Sequence, residues 1–168
     1  MTAAVRRPGL AAAEGAATLL LGLMAGFFFA FAVDVAPAMA GLDAATYITV
    51  QQAINRVVRN ALFGITYFGS ALLPWVVIAL ALWAGQRRRA GAWAVIALAY
   101  GAAVFWVTRS LNVPINEALA TWSPTAPPPQ WLAARTDWNA ANAVRAGASA
   151  LCFAAAVAVL AWPRRAVA

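Results

Sequence analysis

Residues 61 to 107 read ALFGITYFGSALLPWVVIALALWA, then GQRRR, then AGAWAVIALAYGAAVFWV. Two apolar runs, each close to the roughly 20 residues that cross a bilayer, flank three consecutive arginines. A hairpin of two membrane-spanning helices follows, with Arg87, Arg88 and Arg89 at its turn. Two more runs lie outward, Ala16 to Val33 and about Ala140 to Trp162, the last carrying Arg145 in its first two turns. The sequence therefore predicts an all-α integral membrane four-helix bundle forming one domain. Its spans cover about residues 14–34, 61–84, 90–108 and 139–162, joined by longer segments over 35–60 and 109–138.

Composition points the same way. Apolar residues make up 64% of the 168-residue chain and charged residues 10%, against roughly 25% charged in soluble domains. The net charge of +7 comes from twelve arginines. They sit at the ends of apolar runs and form no basic face, so nucleic acid is not an expected partner. The short arginine-rich ends, Arg6 and Arg7, Arg87 to Arg89, and Arg164 and Arg165, place both termini in the cytoplasm under the positive-inside rule. Trp83, Trp93 and Trp162 would form the aromatic belt on that side. The chain is then a multi-pass protein of the cell membrane, with segments 35–60 and 109–138 outside. Arg6, Arg7 and Ala38-Met39-Ala40 also outline a cleavable signal, but the apolar stretch is long and Asp34 and Pro37 interrupt it.

The chain has no histidine and one cysteine, Cys152. No internal disulfide can form, and haem, zinc and copper lack their usual ligands. The expectation is no cofactor and no metal. Gly22 and Gly26 make a small-xxx-small pair suited to close helix packing, in the bundle or in a homo-oligomer. Pro74 predicts a kink, Pro114 an end or bend in the third helix, and residues 123–129 an extended loop.

The polar residues gather on the outer side in three clusters. Gln52, Asn55, Arg56 and Arg59 share one face of a helix leading into the second span. Asn112, Asn116 and Glu117 surround Pro114. Trp138, Asn142, Arg145 and Ser149 recur at offsets of four, seven and eleven, one stripe on the fourth helix. Arg145 lies about 10 Å along the axis from Trp138 at 1.5 Å per residue. An ionisable group at that depth marks a functional site by default, and Glu117 is the partner the sequence offers. Trp106, Trp122 and Trp138 would wall a single pocket, suited to a flat, largely apolar ligand bearing oxygen.

Val33-Asp34-Val35-Ala36-Pro37-Ala38-Met39, Gln51-Gln52-Ala-Ile-Asn55-Arg56 with Arg59-Asn60, Asn112-Val-Pro114-Ile-Asn116-Glu117, and Trp138-Asn139 with Arg145 resemble the anthrone oxygenase-like family of small four-span membrane proteins. The likeness covers nearly the whole chain. Members often have proline after the asparagine matching Asn60, where this chain has Ala61. They can also have histidine near the start of the fourth helix, where it has Asn139 or Asn142. The resemblance implies oxidation of an anthrone by dioxygen, a reaction that needs a base, an apolar slot and donors for an oxyanion. Glu117 is the candidate base, with Asp34 and Asp137 behind it. Arg59, Arg145, Asn112 and Asn116 are the candidate donors, and Gln52, Asn55, Trp106, Trp122, Trp138 and Asn142 complete the substrate contacts. Partners would be a small lipophilic aromatic substrate, dioxygen and membrane lipid. Two other readings stay open: a non-enzymatic binder or carrier of a quinone-like molecule, and a structural membrane protein.

Overall fold

A computed structural model describes residues 3–161, with side chains described from residue 9 onward. Among them, four helices are long and apolar enough to cross a membrane: α1 (Gly9–Ala38), α3 (Ala61–Trp83), α4 (Arg87–Ala120) and α5 (Trp131–Ala161). A shorter helix, α2 (Ala44–Val57), links α1 to α3. Lipid offers backbone groups no hydrogen-bond partner, so an apolar run of this length closes its own bonds as a helix. Asp43 caps α2 by accepting from the Thr46 amide at 3.0 Å, and Asn60 caps α3 by accepting from the Phe63 amide at 2.9 Å. Gly85, at φ +74°, ends α3 in the left-handed conformation that glycine adopts without penalty, and the Gln86 amide reaches back to the Ala81 carbonyl at 2.8 Å.

The spans form a ring: α1 packs on α3 and α5, and α4 closes the opposite side against the same two helices. Leu21, Met24, Phe28, Val77, Trp93, Tyr100 and Val104 fill the shared core. Leu19, Leu62, Ile65, Leu72, Val95, Leu98 and Leu151 point outward and exposed. Only 33% to 39% of the most apolar window of each span is buried. Most of the apolar surface therefore faces out, as a lipid environment requires and water does not allow.

One end of the bundle is held by a buried ion pair. Glu14 of α1 is fully buried and pairs with Arg89 of α4. Arg89 also donates to the Val159 carbonyl of α5 at 2.7 Å, and the Trp93 indole donates to Glu14 at 3.1 Å. Three spans meet there, which puts the described ends of the chain beside the Arg87–Arg89 turn. Arg89, expected as a topology signal, and Trp93, expected in the aromatic belt, are both inside the bundle. Trp83 is half exposed. Arg6, Arg7, Trp162, Arg164 and Arg165 lie outside the described side chains.

Pro114 does not end α4, the first of the two outcomes expected from sequence. The helix absorbs it through wide π turns at Gly101–Trp106 and Thr108–Asn112, and α1 does the same at Phe31–Val35 before Pro37. Each of the latter two π segments ends two residues before its proline. A proline ring collides with the carbonyl four residues back, and bonding to the fifth residue moves that carbonyl aside. The third span therefore runs on past its apolar core, to Ala120. α5 begins at Trp131, one residue past the Pro127–Pro129 run, so Arg135, Asp137 and Trp138 lie on its first turns. α3 runs unbroken through Pro74. Gly22 is used within the chain: a Cβ there would come within 2.8 Å of the Phe153 ring, whereas one on Gly26 would meet nothing within 4 Å.

Candidate functional site

The end opposite the ion pair holds a cavity of about 340 Å³, within the roughly 300–1,000 Å³ of small-molecule sites. Its walls come from every helix. α1 supplies Phe27, Phe28 and Phe31; α2 supplies Ile54 and Asn55, with Val58 at its C-cap; α3 supplies Phe63 and Tyr67. α4 supplies Thr108, Asn112 and Asn116, and α5 supplies Trp138, Asn142 and Arg145. Arg59 and Asn60, in the α2–α3 link, sit at its exposed rim.

The polar base is built on helical spacing. Trp138, Asn142 and Arg145 fall on one stripe of α5 and all three are buried. Asn112 and Asn116 are one turn apart on α4 and face them. The Trp138 indole donates to Asn116 Oδ1 at 2.8 Å, and Asn55 Nδ2 donates to the same oxygen at 3.1 Å. Gln51, buried on α2, donates to Asn55 at 3.2 Å. Asn112 Nδ2 donates to the Trp138 carbonyl at 3.2 Å, and Asn142 Nδ2 to the Phe28 carbonyl at 3.3 Å. These bonds tie α1, α2, α4 and α5 together around the cavity.

Arg145 is the centre of this network and is only 5% exposed. Its guanidinium donates to Asn142 Oδ1 at 2.9 Å and Thr108 Oγ1 at 3.2 Å. It stacks on Phe28, 4.5 Å from the ring centre, and on Trp138 at 5.3 Å. Those contacts are neutral. Among the described residues no carboxylate pairs with it. Its buried Nε and the buried Oδ1 of Asn112 find no hydrogen-bond partner. A buried cation without a counter-charge is costly, so the arrangement suits an anionic or strongly dipolar oxygen from a ligand. The open Asn112 oxygen would accept from a ligand hydroxyl.

α2 lies across this end as a cover. Asp43 caps it, and the Thr46 amide and hydroxyl hold the Asp43 carboxyl below its ordinary value. Gln52 reaches the carbonyls of Leu119 and Trp122, each at 2.9 Å. Tyr47 packs against Trp131 with Arg135 over both rings, and burial pushes its hydroxyl up to about 12, with Arg135 opposing.

Of the sequence-derived residues, Asn55, Arg59, Asn112, Asn116, Trp138, Asn142 and Arg145 do meet around one cavity. Four do not line it. Gln52 ties α2 to α4 instead. Trp122 packs in a small outer cluster with Met39, Tyr47, Ile48 and Leu119. Trp106 is 68% exposed on the outside of α4. Glu117 is exposed, because it follows Asn116 by one residue and a helix turns about 100° per step. The expected Glu117–Arg145 pair is replaced by Asn142 and Thr108. Asp34 and Asp137 are exposed as well. Sequence reasoning missed Phe28, Phe31, Tyr67 and Thr108. The Phe27-Phe28-Phe29 run with Phe31 was the available signal, since Met24, Phe28 and Phe31 follow helical spacing.

A family model described as Anthrone oxygenase matches residues 57–158, more than half of the chain. The match takes in α3, α4 and most of α5, hence Asn112, Asn116, Trp138, Asn142 and Arg145. No curated protein and no solved structure matches the chain.

Proposed function

The chain belongs to the anthrone oxygenase family, and from that membership we propose that it oxidises an anthrone-like polycyclic aromatic with dioxygen, without a cofactor, in the Arg145 cavity. The observation that carries the reading is the buried Arg145, which faces an aromatic-walled cavity with no carboxylate partner among the described residues. An anthrone is flat and apolar, and loss of a methylene proton turns its carbonyl into an enolate oxygen. Arg145 would stabilise that oxygen, while Phe28, Phe31, Tyr67 and Trp138 hold the rings. The other enolate terminus, the carbon that lost the proton, gives its electrons to dioxygen. A carbon–oxygen bond forms, and the resulting hydroperoxide loses water. One oxygen atom stays as the new quinone carbonyl, and the other leaves as water with the two methylene hydrogens.

Glu117 does not serve as the base in this account, because it is exposed and off the cavity. With the enolate stabilised by a fixed cation, the proton passes to water at the Arg59 rim. We place the cavity on the outer side of the cell membrane and both chain ends in the cytoplasm, a reading supported by the arginines at the opposite end.

The test is dioxygen uptake and anthraquinone formation from emodin anthrone by the purified protein in detergent, corrected for spontaneous oxidation. Uptake above background with no added cofactor is the expected result. Saturable binding without uptake would replace the oxygenase with a carrier of lipophilic quinone-like molecules.

A further inference from the structure

A second hollow adjoins the Arg145 cavity. It holds about 700 Å³ and lies on the outside of the bundle between α1 and α3, beneath α2. Its lining is apolar apart from Asn60 and Thr66. Leu23, Phe27, Val57 and Leu62 are between 42% and 76% exposed there. Leu23, Phe27 and Leu62 belong to spans, so this mouth opens at the level of the hydrocarbon. The two hollows share Phe27, Phe31, Ile54, Val58, Asn60 and Phe63. Where they meet, the rings of Phe27 and Phe63 stand 5.2 Å apart. Gly64 next to them carries no side chain, and a Cβ there would meet nothing within 4 Å.

On the aqueous face the cavity ends at the polar, exposed Arg59–Asn60 rim, beside α2. α2 covers that end, pinned by Gln52 to α4 and by Asn55 to Asn116. Its own Ile48 and Gln51 are buried on the inner face. An apolar polycyclic molecule partitions into lipid, with about 25 cal/mol per Å² of apolar area favouring its removal from water. Its concentration beside the lipid-facing mouth exceeds that in the aqueous phase.

We propose that the lipophilic ligand of the preceding section reaches Arg145 sideways from the bilayer, through the gap between α1 and α3, with Phe27 and Phe63 as the movable gate. The inference rests on that ligand reading. The polar groups at the far end of the path give it direction: the apolar rings slide through the hollow, and the oxygen ends on Arg145. Dioxygen, also more soluble in lipid than in water, would follow the same path.

The test blocks the mouth after folding. Leu62→Cys, in lipid nanodiscs, is labelled with N-phenylmaleimide, and anaerobic binding of emodin anthrone is followed by stopped flow. Two controls receive the same reagent: the wild type, whose Cys152 is buried, and Leu151→Cys on the lipid face of α5. The expected result is a tenfold or greater fall in association rate for labelled Leu62→Cys, with both controls unchanged. Phe27→Ala, which widens the gate, should raise the rate. An unchanged rate at labelled Leu62→Cys, with binding intact in the controls, overturns the lateral entrance and leaves the ligand reading standing. No binding in the unlabelled wild type overturns both.

Discussion

Replacing Arg145 by glutamine separates its cost to the fold from its use to the ligand. In the empty protein the guanidinium has two hydrogen bonds to neutral groups, at 2.9 and 3.2 Å, and two ring faces at 4.5 and 5.3 Å. Each ring contact contributes about 0.5–2 kcal/mol and each bond from a charged donor about 1.5–3 kcal/mol. Against these stands the desolvation of an unpaired charge, several kcal/mol at membrane depth. The two sides are of similar size, so Arg145→Gln should shift the melting temperature by no more than a few degrees in either direction. The ligand is affected differently. Loss of one preorganised donor at a developing oxyanion costs about 2.7–4 kcal/mol, roughly 100- to 1,000-fold in rate. The assays are initial rates of anthraquinone formation, corrected for background, and thermal unfolding in detergent. Full activity in a stable Arg145→Gln variant would refute the reasoning. A collapse in melting temperature with the rate per folded molecule unchanged would make Arg145 a structural residue.

Other residues give independent checks. Glu117→Gln should leave the rate within twofold of wild type, since the side chain is exposed and off the cavity; a tenfold loss would restore it as the base. Glu14→Gln should lower stability by about 3–5 kcal/mol, measured by thermal unfolding, because it removes the carboxylate from a buried ion pair. Gly22→Ala should displace the half-exposed Phe153 ring and leave Gly22 less well placed than Gly26 for alanine, by about 1 kcal/mol in the same assay. Gly26→Ala, which meets nothing, should be neutral or gain about 0.5–1 kcal/mol in the same assay. The Asp43 cap has a pH signature. Its carboxyl sits below the unfolded value of 3.8 in the folded chain, so its support of α2 is complete above 3.8 and disappears as pH falls through the lowered value. Protection of the Thr46 amide, its exchange rate relative to the intrinsic rate at each pH, should fall across that acid window and stay constant above it.

The spans were legible because length and hydropathy alone decide which segments cross a bilayer. The α5 stripe was legible for a second reason: polar groups in an apolar helix stand out, and 138, 142 and 145 obey its period. The facing of an apolar side chain was not legible. In lipid both surfaces of a helix are apolar, so Phe28, in the cavity wall, and Phe29, 57% exposed, look alike in sequence. Glu117 was misplaced by the same blindness at finer scale, since the neighbouring Asn116 takes the inward position. The π turns were hidden because proline announces a broken bond without saying how the helix absorbs it. Glu14 and Arg89 are 75 residues apart, and their union depends on the packing of α1 against α4's neighbours rather than on any local pattern.

The central claim is that the Arg145 cavity turns a bound aromatic ketone into its enolate. It is tested most directly by an anaerobic pH titration of emodin anthrone bound to the purified protein, following the enolate absorption band. At 1.36 kcal/mol per unit, the oxyanion stabilisation above corresponds to a ligand pKa lowered by about 2–3 units in the wild type. The Arg145→Gln variant should return it to the value of the free ligand. A bound pKa equal to or above the free value in the wild type would contradict the account.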